Sequence, residues 1–306
     1  MEPVKKKDNK WFIKAIVNVL FGIPIGIANI IPGVSGGTFG VMLGIYDKLI
    51  SSISNIRKDF KNSIKFLIPV VIGMGIGIVG FNWILGDVLL KHFPMQTVTL
   101  FMGLVVGSIP LVFRHSGIKK ATPGSIIPGV VTLVFMVALP FIMQGDGGSY
   151  DGFTLGVGNG VMIFLCGIIA SVTMILPGIS GSMMLMVMGY YFVVTGALGS
   201  LTSGVFSGNL NLNDILVLGI FVVGVLVGLL GGAKVIDICL KRFRMPTYSA
   251  IIGLVIGSLY QIYLESGFTL DLNGLFAVLT FIAGALIALF FGSKWLEAKM
   301  EKFKKD

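Results

Sequence analysis

The run Ile31-Pro32-Gly33-Val34-Ser35-Gly36-Gly37 returns 145 residues later as Leu176-Pro177-Gly178-Ile179-Ser180-Gly181-Ser182. Both copies interrupt apolar sequence. Proline removes a backbone donor and clashes with the preceding turn, and glycine opens left-handed dihedrals, so neither run continues a helix. Each reads as the tip of a broken helical hairpin. Working outward, Gly44 and Tyr46 match Gly189 and Tyr191 at the same offset. Gly103-Leu104-Val105-Val106-Gly107-Ser108 matches Gly253-Leu254-Val255-Ile256-Gly257-Ser258 at an offset of 150, as do Phe93, Met95 and Thr97 with Phe243, Met245 and Thr247, and Asp87 with Asp237. The pair Gly73/Gly77 has its counterpart in Gly224/Gly228. The chain is therefore read as two repeated halves, 1–145 and 146–306.

Of the 306 residues, 55% are apolar and 12% are charged. A soluble domain carries about a quarter charged residues. The shortfall excludes an ordinary soluble enzyme, a nucleic-acid-binding protein and a disordered chain, and leaves an all-α integral membrane protein. Apolar segments run over 12–31, 38–50, 66–86, 97–113, 125–143, 160–176, 183–198, 214–233, 248–264 and 274–292. Crossing the hydrocarbon core takes about 20 residues, so 38–50 is too short and 183–198 is marginal. Both follow a Pro-Gly break. The N-terminal apolar run lacks a small-x-small cleavage site and reads as the first membrane segment rather than a signal peptide. Cys166 and Cys239 have neither CxxC nor Cys/His spacing and read as small apolar residues.

The net charge of +9 is a matter of placement. Lysines and arginines cluster in the first flank, at 48–65, at 114–120, at 234–244 and in the tail, and only Lys91 lies elsewhere. The loops 144–159, 199–213 and 265–273 hold no Lys or Arg. The positive-inside rule then puts 22 of the 23 basic residues, and both termini, in the cytoplasm. Parity makes 12–50 a hairpin entered from the cytoplasm and 160–198 a hairpin entered from outside, each followed by three crossings. This is an inverted-topology repeat. Secondary transporters built this way bind substrate at broken helices near the bilayer midplane.

Broken backbone inside a bilayer lines a cavity or is buried in protein. The expectation is that the tips offer amide N–H groups and hydroxyls at a helix N-terminus, which suits an anion such as phosphate. The candidate substrate-binding residues are Asn29, Pro32, Gly33, Ser35, Gly36, Gly37 and Thr38 at the first tip, with Pro177, Gly178, Ser180, Gly181 and Ser182 at the second. A tight turn with Ser/Thr caps and no ligand is the bland reading. Two copies facing each other favour a ligand site. Asp87 and Asp237 are candidates for proton coupling, set against a plainer role as interfacial caps. Gly36, Gly40 and Gly44, like Gly224, Gly228 and Gly232, recur every four residues and read as packing faces, as do the GxxxG pairs Gly103/Gly107 and Gly253/Gly257. The Met183, Met184, Met186 and Met188 cluster reads as core or lipid-facing. No metal, cofactor or catalytic group is expected: both histidines lie in loops and no span holds a close carboxylate pair.

The motifs Pro32–Asp47 (PGVSGGTFGVMLGIYD) and Pro177–Tyr191 (PGISGSMMLMVMGYY), with the GLVxGS segments, resemble the hallmark of the polyprenyl-phosphate transporter family, formerly a domain of unknown function. The likeness covers nearly the whole chain. It implies a bacterial cytoplasmic-membrane translocase that returns undecaprenyl phosphate from the outer to the inner leaflet for cell-wall synthesis, dependent on the proton-motive force. The partners it implies are that lipid and the surrounding membrane, with room for a homo-oligomer. Two alternatives stand beside it. Undecaprenyl diphosphate phosphatases share re-entrant hairpins and a PGxSRS-type motif, but the arginine position holds Gly36 or Gly181 here and no ExxxE pair lies within a span. An anion channel or exchanger would also suit Gly/Ser helix starts.

Overall fold

The computed structural model describes residues 7–30, 35–83, 89–118, 120, 122–142, 150, 153–269 and 271–291. Among these the regular structure is helical throughout. Seven helices are long and apolar enough to cross a membrane. They are α1 (Lys7–Ile30), α4 (Phe60–Trp83), α6 (Pro94–Ser116), α8 (Val157–Ile175), α11 (Leu212–Arg242), α12 (Arg244–Ser266) and α13 (Leu272–Phe291). Helix α7 (Pro123–Ile142) carries a shorter apolar stretch, and α5 (Leu90–His92) is a single turn.

The segments 38–50 and 183–198, each expected as one arm, are themselves broken. The first is α2 (Gly36–Met42) followed by α3 (Tyr46–Ser54), and the second is α9 (Gly181–Val187) followed by α10 (Tyr191–Ser207). Gly44 (φ +67°) and Gly189 (φ +75°) take left-handed conformations between them, so the helix cannot run through. The chain bends by 115° from α9 to α10. Gly44 is thus a helix stop and not the packing-face residue its four-residue spacing suggests.

The other repeated glycines bring helices together. Helix α1 packs on α4, where a Cβ on Gly22 or Gly73 would strike Val70 or Val19 backbone. Helix α8 packs on α11 in the same manner, through Gly167, Gly224 and Gly228. Two further pairings cross between the halves of the chain: α6 packs on α13 at Gly103 and Gly107, and α12 packs on α7 at Gly253 and Gly257. In a bilayer, association rests on such close backbone approach, because lipid tails are as apolar as leucine. Large residues on the outer faces, among them Val79, Val131, Val223 and Leu286, are exposed and form the surface that lipid would cover. The main core joins residues of α1, α2, α3, α4, α6, α11 and α12 around Tyr46, Ile50, Val105 and Val255.

Candidate functional site

Helix α2 starts where it does because Ser35 is an N-cap. Its backbone is extended (φ −102°, ψ 133°) and its hydroxyl accepts from the Gly37 N–H at 3.2 Å. The same hydroxyl donates to the Leu176 carbonyl of the second tip at 3.0 Å. The Gly178 N–H donates to the Thr38 hydroxyl at 2.8 Å. Gly37 allows this approach, since a Cβ there would lie 2.9 Å from the Ile175 carbonyl oxygen. The tips therefore meet, the first contributing the Ser35 and Thr38 hydroxyls and the second the Leu176 carbonyl and the Gly178 amide. Every residue of α2 is buried. Asn29 donates to Ile25 O at 3.0 Å, and its amide lies over Gly36, where a Cβ would come within 2.8 Å of it.

The second tip is built differently. Leu176 ends α8 in an extended conformation, Pro177 is buried, and Gly178 turns the chain at φ +88°. A Cβ on Gly178 would stand 2.5 Å from the Leu254 carbonyl oxygen of α12, so glycine is required for conformation and for space. Ser180 opens α9 from the N-cap position but caps nothing; its hydroxyl pairs with that of Ser182 at 2.8 Å. Ser182 is exposed, and Leu185 is the buried residue of α9. The first-turn amides of α9 thus lack the side-chain cap that α2 has. Helix starts of this kind, with hydroxyls and no fixed positive charge, accept an anion without holding it by a salt bridge.

Ten of the expected binding residues lie in described structure, and the interactions above join the two tips. Pro32, Gly33 and Asp87 lie outside the described residues. The first tip departs from expectation in one respect. Its amides are not free: the Gly37 N–H is taken by the Ser35 hydroxyl and the Thr38 N–H by the Ser35 carbonyl at 3.0 Å. Asp237 is buried, as a membrane acid of interest would be. Its partners, however, are Lys241 at 2.7 Å and the Ser54 hydroxyl at 3.2 Å, and among the described residues none of its bonds reaches a tip.

Two further acids emerge only in the structure as organised groups. Asp47, in the first turn of α3, accepts from the Tyr248 hydroxyl at 2.6 Å and pairs with Arg244 at 3.5 Å. Asp214, fully buried in the first turn of α11, accepts from Tyr150 at 2.9 Å and Ser200 at 2.6 Å. A sequence signal for Asp214 existed. Asn211 is the N-cap of α11 and Asp214 sits three residues on, a spacing close to that of a capping box. Asp47 and Tyr248 lie 201 residues apart and carry no local signal. The Asp47–Arg244 pair and the bond from Arg244 to the His115 carbonyl join the start of α3, the end of α6 and the start of α12.

Three comparisons with known proteins bear on the chain. A family model described as undecaprenyl phosphate translocase-like matches residues 25–273. A polyprenyl-phosphate transporter of Staphylococcus aureus (strain NCTC 8325 / PS 47) is 32% identical over 286 residues, covering 92% of this chain and 96% of the relative. A polyprenyl-phosphate transporter of Vibrio cholerae serotype O1 is 29% identical over 260 residues, covering 80% and 76% respectively. No solved structure matches the chain.

Proposed function

The chain belongs to the undecaprenyl phosphate translocase-like family, and from that premise we propose that it carries undecaprenyl phosphate across the bacterial cytoplasmic membrane, from the outer to the inner leaflet, for reuse in cell-wall synthesis. The two halves, 1–145 and 146–306, form an inverted-topology repeat with both termini cytoplasmic. The matched features support this reading: seven-residue helices α2 and α9, left-handed Gly44 and Gly189, and the reciprocal pairings α6 with α13 and α12 with α7. The observation that carries the proposal is the meeting of the two tips, one capped and buried, the other uncapped and partly exposed.

The phosphate enters at the second tip from the side opposite the basic loops. Ser180, Ser182 and the first amides of α9 hold it, while the prenyl tail stays in lipid. Handover toward the first tip requires the contact at Ser35 and Thr38 to part and the Gly37 amide to exchange its bond with Ser35 for one with the headgroup. Alternating access of this kind needs both arrangements to be reachable. Transport depends on the proton-motive force, as the family resemblance implies. Asp237 pairs with Lys241 and Ser54, so a coupling role for it would require those bonds to break.

Reconstitution in liposomes with a short-chain polyprenyl phosphate tests the proposal. The double variant Ser180→Ala, Ser182→Ala is expected to slow leaflet exchange by about tenfold or more, since hydrogen bonds to a charged group are worth roughly 1.5–3 kcal/mol. Exchange at the wild-type rate would refute the tip as the headgroup site. Release of inorganic phosphate from a polyprenyl diphosphate would point to the phosphatase reading.

A further inference from the structure

Helix α3 is held across the molecule at two points. At its start, Asp47 takes the Tyr248 hydroxyl at 2.6 Å and Arg244 at 3.5 Å. Arg244 also donates from Nε and Nη2 to the His115 carbonyl in the last turn of α6, each at 3.1 Å, and its guanidinium lies 5.4 Å from the centre of the Tyr248 ring. At its end, Ser54 donates to Asp237, which Lys241 also holds. Between these points Ile50 and Ile53 are buried in one cluster with Ala233, Ile236 and Leu240 of α11. Its counterpart α10 is tied differently. Ser200 binds Asp214 of α11, and α10 makes its main packing with that neighbour, which lies in its own half of the chain. The positions matching Asp47 and Ser54 at the repeat offset are Phe192 and Gly199, and those matching Arg244 and Tyr248 are Pro94 and Val98. Four groups that tie α3 down have no polar equivalent at the other end.

We propose that Asp47 with Tyr248 and Arg244, and Asp237 with Ser54 and Lys241, form a two-point latch that closes the basic end of the transport path by pinning α3 to α11 and α12. The proposal rests on the transport reading above and assigns the gate to that path. A gate must open at modest cost. The side chains of Asp47 and Arg244 are 43% and 52% exposed, so water can take over their charges when they separate. The latched state also carries a built-in penalty: the Tyr46 hydroxyl, next to Asp47 in the chain, is buried with no hydrogen-bond partner among the described residues. Leaving the latched state gives that hydroxyl a route to water. The latch is a set of polar ties working against an unsatisfied group, which makes it releasable.

The test reads conformation directly, so it does not depend on transport. In the full-length protein with Cys239→Ala, the substitution Ile53→Cys places a reporter thiol beneath α3. Buried Cys166 in α8 remains as an internal control. With Asp47→Asn and Tyr248→Phe added together, maleimide labelling of the reporter is expected to accelerate about tenfold while Cys166 stays slow. Asp237→Asn is expected to accelerate it by a smaller factor. An unchanged reporter rate in both variants would overturn the latch, as would an equal acceleration at Cys166, which would mean general loosening. If labelling rises as expected but the protein moves no polyprenyl phosphate, the latch stands and the transport reading fails.

Discussion

Ser35 and Ser180 occupy the same place in two copies of one motif, and they end in different environments. Ser35 is 3% exposed, caps α2 and reaches across to Leu176. Ser180 is partly exposed, and its hydroxyl pairs with that of Ser182. The motif sets the local break in both cases. What surrounds the break is set by the partners: α2 packs on α6 and α8 as well as α1, whereas α9 packs mainly on α8 and α10. Near-identical sequence thus sits in two different environments within one chain.

Substitutions can break this comparison, beginning with the most severe. Gly178→Ala forces a side chain into a left-handed conformation and against the Leu254 carbonyl. Thermal unfolding in detergent should show a loss of about 3 kcal/mol, the upper end for backbone strain. Next is an exchange of matched residues. Gly37→Ser drives a Cβ toward the Ile175 and Leu176 backbone and should cost about 2 kcal/mol. The reverse change at the exposed partner position, Ser182→Gly, should stay within about 0.5 kcal/mol. Equal costs would mean that the tips are equally enclosed. The smallest effect separates the serines themselves. Ser35→Ala removes a cap and a long-range tie and should cost about 1.5 kcal/mol, whereas Ser180→Ala should cost about 0.3 kcal/mol in stability. A Ser180→Ala protein as unstable as Ser35→Ala would remove the asymmetry on which the open second tip rests.

Much of the frame is legible in the sequence. The apolar runs mark the long helices, and Pro177-Gly178 marks the break after α8, because a span in lipid must satisfy its own backbone and few residues interrupt it. Ser35 as a cap is legible from residue type. The pairing of Asp237 with Lys241 was also readable, since acid and base four residues apart meet on one helix face. The breaks at Gly44 and Gly189 were harder. A glycine in an apolar run serves equally as a packing surface or a stop, and only its dihedral distinguishes the two.

By itself, the sequence determined that this is a membrane protein with a repeated Pro-Gly motif at matched places and its basic residues in a few segments. Those properties follow from composition, periodicity and local backbone chemistry, which act within a few residues. Tertiary structure decided which tip is buried, that Asp47 meets Tyr248, and that α3 crosses to α11 while α10 holds to its own half. Such outcomes depend on contacts between residues far apart in the chain, and two copies of one motif can settle into either arrangement when the free-energy difference between them is small.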